Sequence, residues 1–163
     1  LRIRREDSSR VLRERLDRLL QATARQGPVL ALEIGCGDGT ASEILWDSLS
    51  QRFPDPGTRL YALDIEAALV LAVHRRFQRD GRVCALSGDL YHLPLAAEQL
   101  DFLFALNVLF WADRKRLLAE AHRVLRAQGV VFVYDLLPVP PEGPRPLVSF
   151  SLTREQIQAS APA

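Results

Sequence analysis

Apolar residues along this chain fall into two alternating rhythms. Over residues 8–25, Leu12, Leu16, Leu19 and Leu20 recur at i, i+4, i+7 and i+8 with arginines and acids between them, which predicts a helix with one buried stripe. Gln26-Gly27-Pro28 ends it. Residues 29–34 are almost continuously apolar, the pattern of a strand covered on both faces. A helix is predicted over 40–51, with Ala41, Ile44, Leu45 and Leu49 on one side, and Pro54-Asp55-Pro56-Gly57 is a strong turn. A second strand follows over 59–64, and a helix over 66–78 with Val70, Val73 and Phe77 toward the core. Residues 83–86 make a short third strand, ended by Ser87-Gly88-Asp89, and 100–106 a fourth. A helix over 114–127 carries Leu117, Leu118, Ala121, Val124 and Leu125 on one stripe, Gln128-Gly129 stops it, and 130–136 is a fifth strand.

Strands that alternate with helices imply a doubly wound α/β fold, a mostly parallel sheet of five strands with helices on both faces and right-handed crossovers. Beyond the fifth strand the pattern changes. Residues 138–146 are a proline-rich connection, and Thr153-Arg154-Glu155-Gln156 has the form of a capping box opening one more helix.

Composition narrows the function. A chain of 163 residues with 48% hydrophobic and 25% charged residues is that of one ordinary globular domain, and a net charge of +1 argues against a general nucleic-acid binder. Lys115 is the only lysine, so the positive charge is almost all arginine. Cys36 and Cys84 are far apart with no C-x-x-C spacing, so neither a disulfide framework nor a zinc site is expected, and a cytoplasmic setting is. No apolar run reaches the roughly 18 residues of a membrane span and no signal peptide opens the chain. The chain lacks methionine altogether, which together with its ending soon after the fifth strand reads as a piece of a longer product.

The candidate chemistry begins at Glu33-Ile34-Gly35-Cys36-Gly37-Asp38-Gly39-Thr40, where the first strand enters a glycine turn and then a helix. Glycines at alternate positions allow positive φ and close approach of a ligand, and the helix start suits an anionic group. The spacing is G-x-G-x-G, not the G-x-G-x-x-G of nicotinamide and flavin dinucleotide folds. Three further segments converge with it if ligands bind beyond the carboxyl ends of the strands. Asp64 ends the second strand, where a carboxylate can accept two hydrogen bonds from a ribose diol. Gly88-Asp89-Leu90-Tyr91-His92-Leu93-Pro94 follows the third strand, and Asn107-Val108-Leu109-Phe110-Trp111-Ala112-Asp113 leaves the fourth.

Together these segments resemble the class I S-adenosylmethionine (SAM)-dependent methyltransferases, type 11-like, over residues 28–160. The resemblance implies a Rossmann-like sheet of strand order 3-2-1-4-5 with the family's terminal β-hairpin missing, which would leave the fifth strand at an exposed apolar edge. It implies a SAM-binding unit over 28–163, incomplete, preceded by a helical segment over 1–27. Gly35, Gly37 and Gly39, with Cys36 between them, would pack against the methionine part of SAM, and Glu33 would support its amino group or the loop. Asp64 would hold the ribose and Ile65 lie against the adenine. Asp89 would accept from the adenine amino group while the amide of Leu90 reaches a ring nitrogen. Asn107 would face donor or substrate. It does not carry the N-P-P-Y or D-P-P-Y of enzymes that methylate nucleic-acid amines. Glu66 fits a helix-terminal acid, Phe110 and Trp111 fit pocket and core equally, and Gln128-Gly129 stands where the family prefers Pro-Gly. Tyr91, His92 and Asp101 each have a structural explanation, so no general base is assigned.

The expected activity is methyl transfer to a small-molecule acceptor by in-line displacement, with S-adenosylhomocysteine as product, chiefly through alignment and exclusion of water. The N-terminal helix, the 107–113 loop and the proline-rich connection would set acceptor selectivity. The alternatives are a non-catalytic methyltransferase-like scaffold and a nicotinamide-dependent oxidoreductase.

Overall fold

A computed structural model describes residues 2–3, 7–137 and 145–160. Its elements are β1 (Arg2–Ile3), α1 (Ser8–Ala22), β2 (Leu30–Ile34), α2 (Thr40–Arg52), β3 (Arg59–Asp64), α3 (Ala67–Arg76), β4 (Val83–Ser87), β5 (Leu100–Leu106), α4 (Arg114–Val124), β6 (Leu125–Leu136), β7 (Arg145–Thr153) and α5 (Arg154–Ser160). The sheet order is β1-β7-β6-β5-β2-β3-β4. Its five parallel strands, β4-β3-β2-β5-β6, follow the order expected from sequence.

Side-chain alternation splits the core into two layers. Ala31, Leu60, Phe102, Phe104 and Phe132 face α1 and α2, whose Leu12, Leu16, Leu20, Leu45 and Leu49 close over them. Phe53, Phe102, Phe104 and Phe132 run across this face with successive ring centroids 5.9, 5.9 and 6.1 Å apart. On the other face Leu32, Ile34, Leu103, Val131 and Val133 meet Leu117, Ala121 and Val124 of α4 and Ile157 of α5. The central strand β5 is buried at every position, as a strand covered on both faces must be. Helix α3 is held more lightly: Val73 is its one buried residue, packed against Cys36 and Ala62.

Two expectations require correction. Helix α4 ends at Val124, not 127, because Leu125 already pairs with Leu100. The register then shifts so that Val130 pairs with Phe102, and the residues between bulge outward with Gln128 at φ 62°. Gly129 passes so close to backbone that an added Cβ would lie 2.9 Å from the carbonyl oxygens of Arg126 and Leu100. The dipeptide therefore shapes a bulge at the start of a strand instead of stopping a helix.

The second correction concerns the expected exposed edge. Strand β6 is covered by β7, which pairs with it antiparallel from Val130↔Thr153 to Leu136↔Leu147, and β1 pairs antiparallel with the start of β7. Phe150 and Leu152 alternate with Ser149, Ser151 and Thr153, so the apolar members pack onto the α4–α5 layer. Residues 138–144 of the proline-rich connection lie outside the described residues; Arg145 and Pro146 already belong to β7. The predicted capping box is present: the Thr153 hydroxyl accepts from the Gln156 amide at 3.2 Å, and the Gln156 side chain accepts from the Thr153 amide at 2.9 Å.

Candidate functional site

Beyond the carboxyl ends of β2, β3, β4 and β5 a cleft of about 300 Å³ is lined by Gly35, Asp64, Ile65, Asp89, Leu90 and Asn107, together with Leu63, Gly88, Tyr91, Val108 and Trp111. Six of the ten residues singled out from sequence thus face one space. Glu33, Cys36, Gly37 and Gly39 stand outside its lining and act on it through the turn.

The turn itself is built for close approach. Gly35 has φ 66°, and a Cβ there would lie 2.8 Å from a methyl of Val108, so only glycine lets the two strand-end loops meet. Around Gly37, by contrast, nothing lies within 4 Å of where a Cβ would point. Asp64 fixes this geometry. Its Oδ2 accepts from the Gly37 amide and its Oδ1 from the Glu66 amide, each at 3.0 Å. Each oxygen keeps a lone pair for a further donor. Glu66 is the N-cap residue of α3, with its carbonyl accepting from Leu69 and Val70, so its place is a helix end.

Glu33 lies under the turn, 1% exposed. Its Oε2 accepts the Ser42 hydroxyl at 2.5 Å, while Oε1 has no partner among the described residues. Burial pushes its pKa up to about 7; the Ser42 bond opposes this and the nearby Asp64 adds to it. The same burial, with Glu33 and Asp64 close by, pushes the Cys36 thiol up to about 12. Cys36 is therefore a small apolar packing residue here, not a nucleophile.

On the other wall, Asp89 accepts from the Tyr91 amide at 2.8 Å and pairs with Nδ1 of His92 at 2.9 Å, which together hold its carboxyl below the usual range. Ile65 projects from the opposite lip, 77% exposed, an apolar side chain with open space beside it. Asn107 has φ 60°, and its side-chain oxygen accepts from the Leu136 amide at 2.9 Å, so it ends β5 and ties it to β6. Its carbonyl accepts from the Trp111 indole at 3.2 Å, which settles Trp111 as a cleft-wall residue.

Two contributors were missed. Asp135, 2% exposed at the end of β6, accepts from the Val108 amide at 2.9 Å, with the amides of Leu109 and Phe110 favouring its charge, and so anchors the 107–111 loop; burial raises its pKa against these influences. A carboxylate ending an apolar strand, as Asp64 does, was the available signal. Tyr91 is the other: its hydroxyl accepts from the Asp113 amide at 2.7 Å and joins the two loops across the cleft. Asp101, by contrast, lies at the opposite end of the sheet from the cleft, at the start of β5.

Comparison with known proteins agrees with this architecture. Over 133 residues the chain is 33% identical to a malonyl-[acyl-carrier protein] O-methyltransferase of Dechloromonas aromatica, covering 82% of this chain and 46% of that protein. It is 31% identical over 134 residues to the highly reducing polyketide synthase ALT1 of Alternaria alternata, covering 77% of this chain and 5% of that one. The chain spans about half the length of the methyltransferase it matches or less. Among solved structures, the geranyl diphosphate C-methyltransferase of Streptomyces coelicolor aligns with a TM-score of 0.63 at 19% identity, over 80% of this chain and 45% of that one. The CurJ carbon methyltransferase aligns at 0.68 and 18%, over 82% and 36%. At these identities the structural likeness speaks to fold. The sequence match to the family described as the methyltransferase domain covers residues 32–133, and the chain belongs to that family.

Proposed function

We propose that this chain is a SAM-dependent methyltransferase acting on a small-molecule acceptor. The observation that carries the reading is the convergence of Gly35, Asp64, Asp89 and Asn107, from four separate strand ends, on one cleft. The cleft's chemistry fits SAM. Asp64 offers acceptor lone pairs for a ribose diol, Ile65 an apolar surface for adenine, and Asp89 an acceptor, with the Leu90 amide beside it, for the adenine edge. Open space at Gly37 and the unpaired Glu33 Oε1 beneath the turn suit the amino-acid end.

SAM supplies a methyl group on a sulfonium, a leaving group that needs no acid. The residues here therefore work by holding donor and acceptor in line and shielding them from water. Asp135 and Tyr91 serve this by fixing the two loops that face each other across the cleft. The acceptor we infer is a small acyl group, a choice supported by likeness to a carrier-protein methyltransferase and a polyketide synthase. A cytoplasmic setting belongs to the same reading and is supported by the two free cysteines.

Calorimetric titration tests this. SAM and S-adenosylhomocysteine are expected to bind and NADH to give no heat; binding of NADH alone would overturn the proposal. The Asp64→Ala variant is expected to bind SAM about 1–3 kcal/mol more weakly, the scale of lost hydrogen bonds. An unchanged affinity would remove Asp64 from the ribose.

A further inference from the structure

Beside the cleft mouth, α4 opens with Arg114-Lys115-Arg116, three consecutive exposed cations. The positive end of the helix dipole lies in this turn, so cations there work against the helix. Contact ion pairing does not account for them either: among the described residues no carboxylate forms a salt bridge with any of the three, and Arg114 and Arg116 reach Asp135 and Asp89 only by longer-range attraction. The preceding Asp113 spends its carboxylate on the amides of Lys115 and Arg116, and the Arg116 guanidinium lies 4.2 Å over the Tyr91 ring. Arg114 and Lys115 are exposed, as are Phe110 and Trp111, at 46% and 55%, on the loop that leads into the helix. Trp111 also lines the cleft, so this patch is continuous with the candidate site. Exposed aromatics beside unpaired cations have the composition of an interface centre rather than of ordinary surface.

We propose that Phe110, Trp111, Arg114 and Lys115 form a docking surface for an acidic carrier protein that presents the acceptor on a tether. The inference rests on the transfer to a small acyl group proposed above and names how that group arrives. A tethered acyl chain must be delivered at the lip of the cleft, and the patch is on that lip. Charge complementarity selects the partner: a compact acidic surface meets the basic first turn of α4.

The test compares two acceptors in the wild type and in the variant Lys115→Glu, which leaves the Arg114 charge near Asp135 in place. Acids in a first helical turn favour the helix, so the variant is expected to fold. With malonyl-acyl-carrier protein the KM is expected to rise about tenfold or more, and in the wild type to rise with added salt. The KM for the malonyl thioester of N-acetylcysteamine and the affinity for SAM are expected to stay unchanged. Because Lys115 is the only lysine, a zero-length carbodiimide crosslink to the carrier is expected to map to it. An equal rise for both acceptors, or carrier binding indifferent to the charge reversal, would overturn the surface. So would retention of a single-stranded oligonucleotide in place of the carrier. If neither acceptor is methylated, anisotropy of a dye-labelled carrier still decides: binding lost in the variant upholds the surface while the transfer reading falls, and no binding by the wild type overturns it.

Discussion

Glu33 holds a carboxyl group inside the sheet with one oxygen on Ser42 and the other without a partner among the described residues. Such a group resists ionisation, and the folded protein keeps its proton up to a pH of about 7, against an ordinary value of 4.5. Between those two values the native state binds a proton that the unfolded chain has released. Stability from this group is therefore full below pH 4.5, declines as pH rises through about 7, and is level above. Glu33→Gln keeps an acceptor for Ser42 and removes the titration. The variant is expected to lose this slope and to be more stable than wild type above pH 7, by about 1–3 kcal/mol, as read from urea midpoints across pH. A cationic amino group bound beside Glu33 would favour its ionised form. Titrations of SAM at pH 7 in buffers of different ionisation enthalpy should then report release of up to about half a proton, since Glu33 is about half protonated there. At this scale the sequence was highly legible where a residue sits at a strand end. Asp64, Asp89 and Asn107 stand out because a polar residue closing an apolar run has few places to be, and all three line the cleft. Asn107 lines the cleft at the strand end where the sequence puts it, while its tie to the neighbouring strand was not legible. Its left-handed backbone and its bond to Leu136 depend on a strand 29 positions away, which no local pattern encodes.

Among the elements, strongly periodic ones were read to within a residue or a few: β3 and β5 fall where the apolar runs do, and α1 starts at Ser8. The failures share a cause. Leu125 continues the stripe of α4, yet it gains more by pairing with Leu100 than by another helical turn, and tertiary pairing overrides propensity. In 145–153 the neighbouring prolines masked a two-residue alternation whose strand exists only because β6 offers an edge. Helix α5 shows the opposite, a short element legible from four residues. Its reciprocal Thr153–Gln156 bonds satisfy end groups that seven residues alone would leave open. Thr153→Ala is expected to cost about 1 kcal/mol and to raise amide hydrogen exchange in α5, with Ile157 loosened from its seat beside α4. Exchange confined to its wild-type rate would show that packing of Ile157 alone holds the helix.

For the whole molecule, the two ends of the sheet do different work. The carboxyl ends of the parallel strands carry the cleft, and the amino ends carry a clasp. Asp101, 2% exposed at its side chain, accepts the Leu30 amide at 2.8 Å and pairs with Arg25 at 2.5 Å and with Arg126. One carboxylate thus joins the segment after α1, the first residue of β2, β5 and the bulge of β6. Two guanidiniums share it, and burial together with Arg25 lowers the pKa of Arg126. Removing the charge leaves these cations crowded without a counter-ion, the costly way to break a buried pair. Asp101→Asn retains an acceptor for Leu30 and is expected to lose about 2–4 kcal/mol of stability, measured by urea denaturation. Because the clasp and the cleft lie at opposite ends of β5, the folded variant should bind SAM with wild-type affinity. A large loss of affinity at preserved fold would mean that the amino ends of the strands take part in binding, and the division of labour between the two ends of the sheet would have to be abandoned.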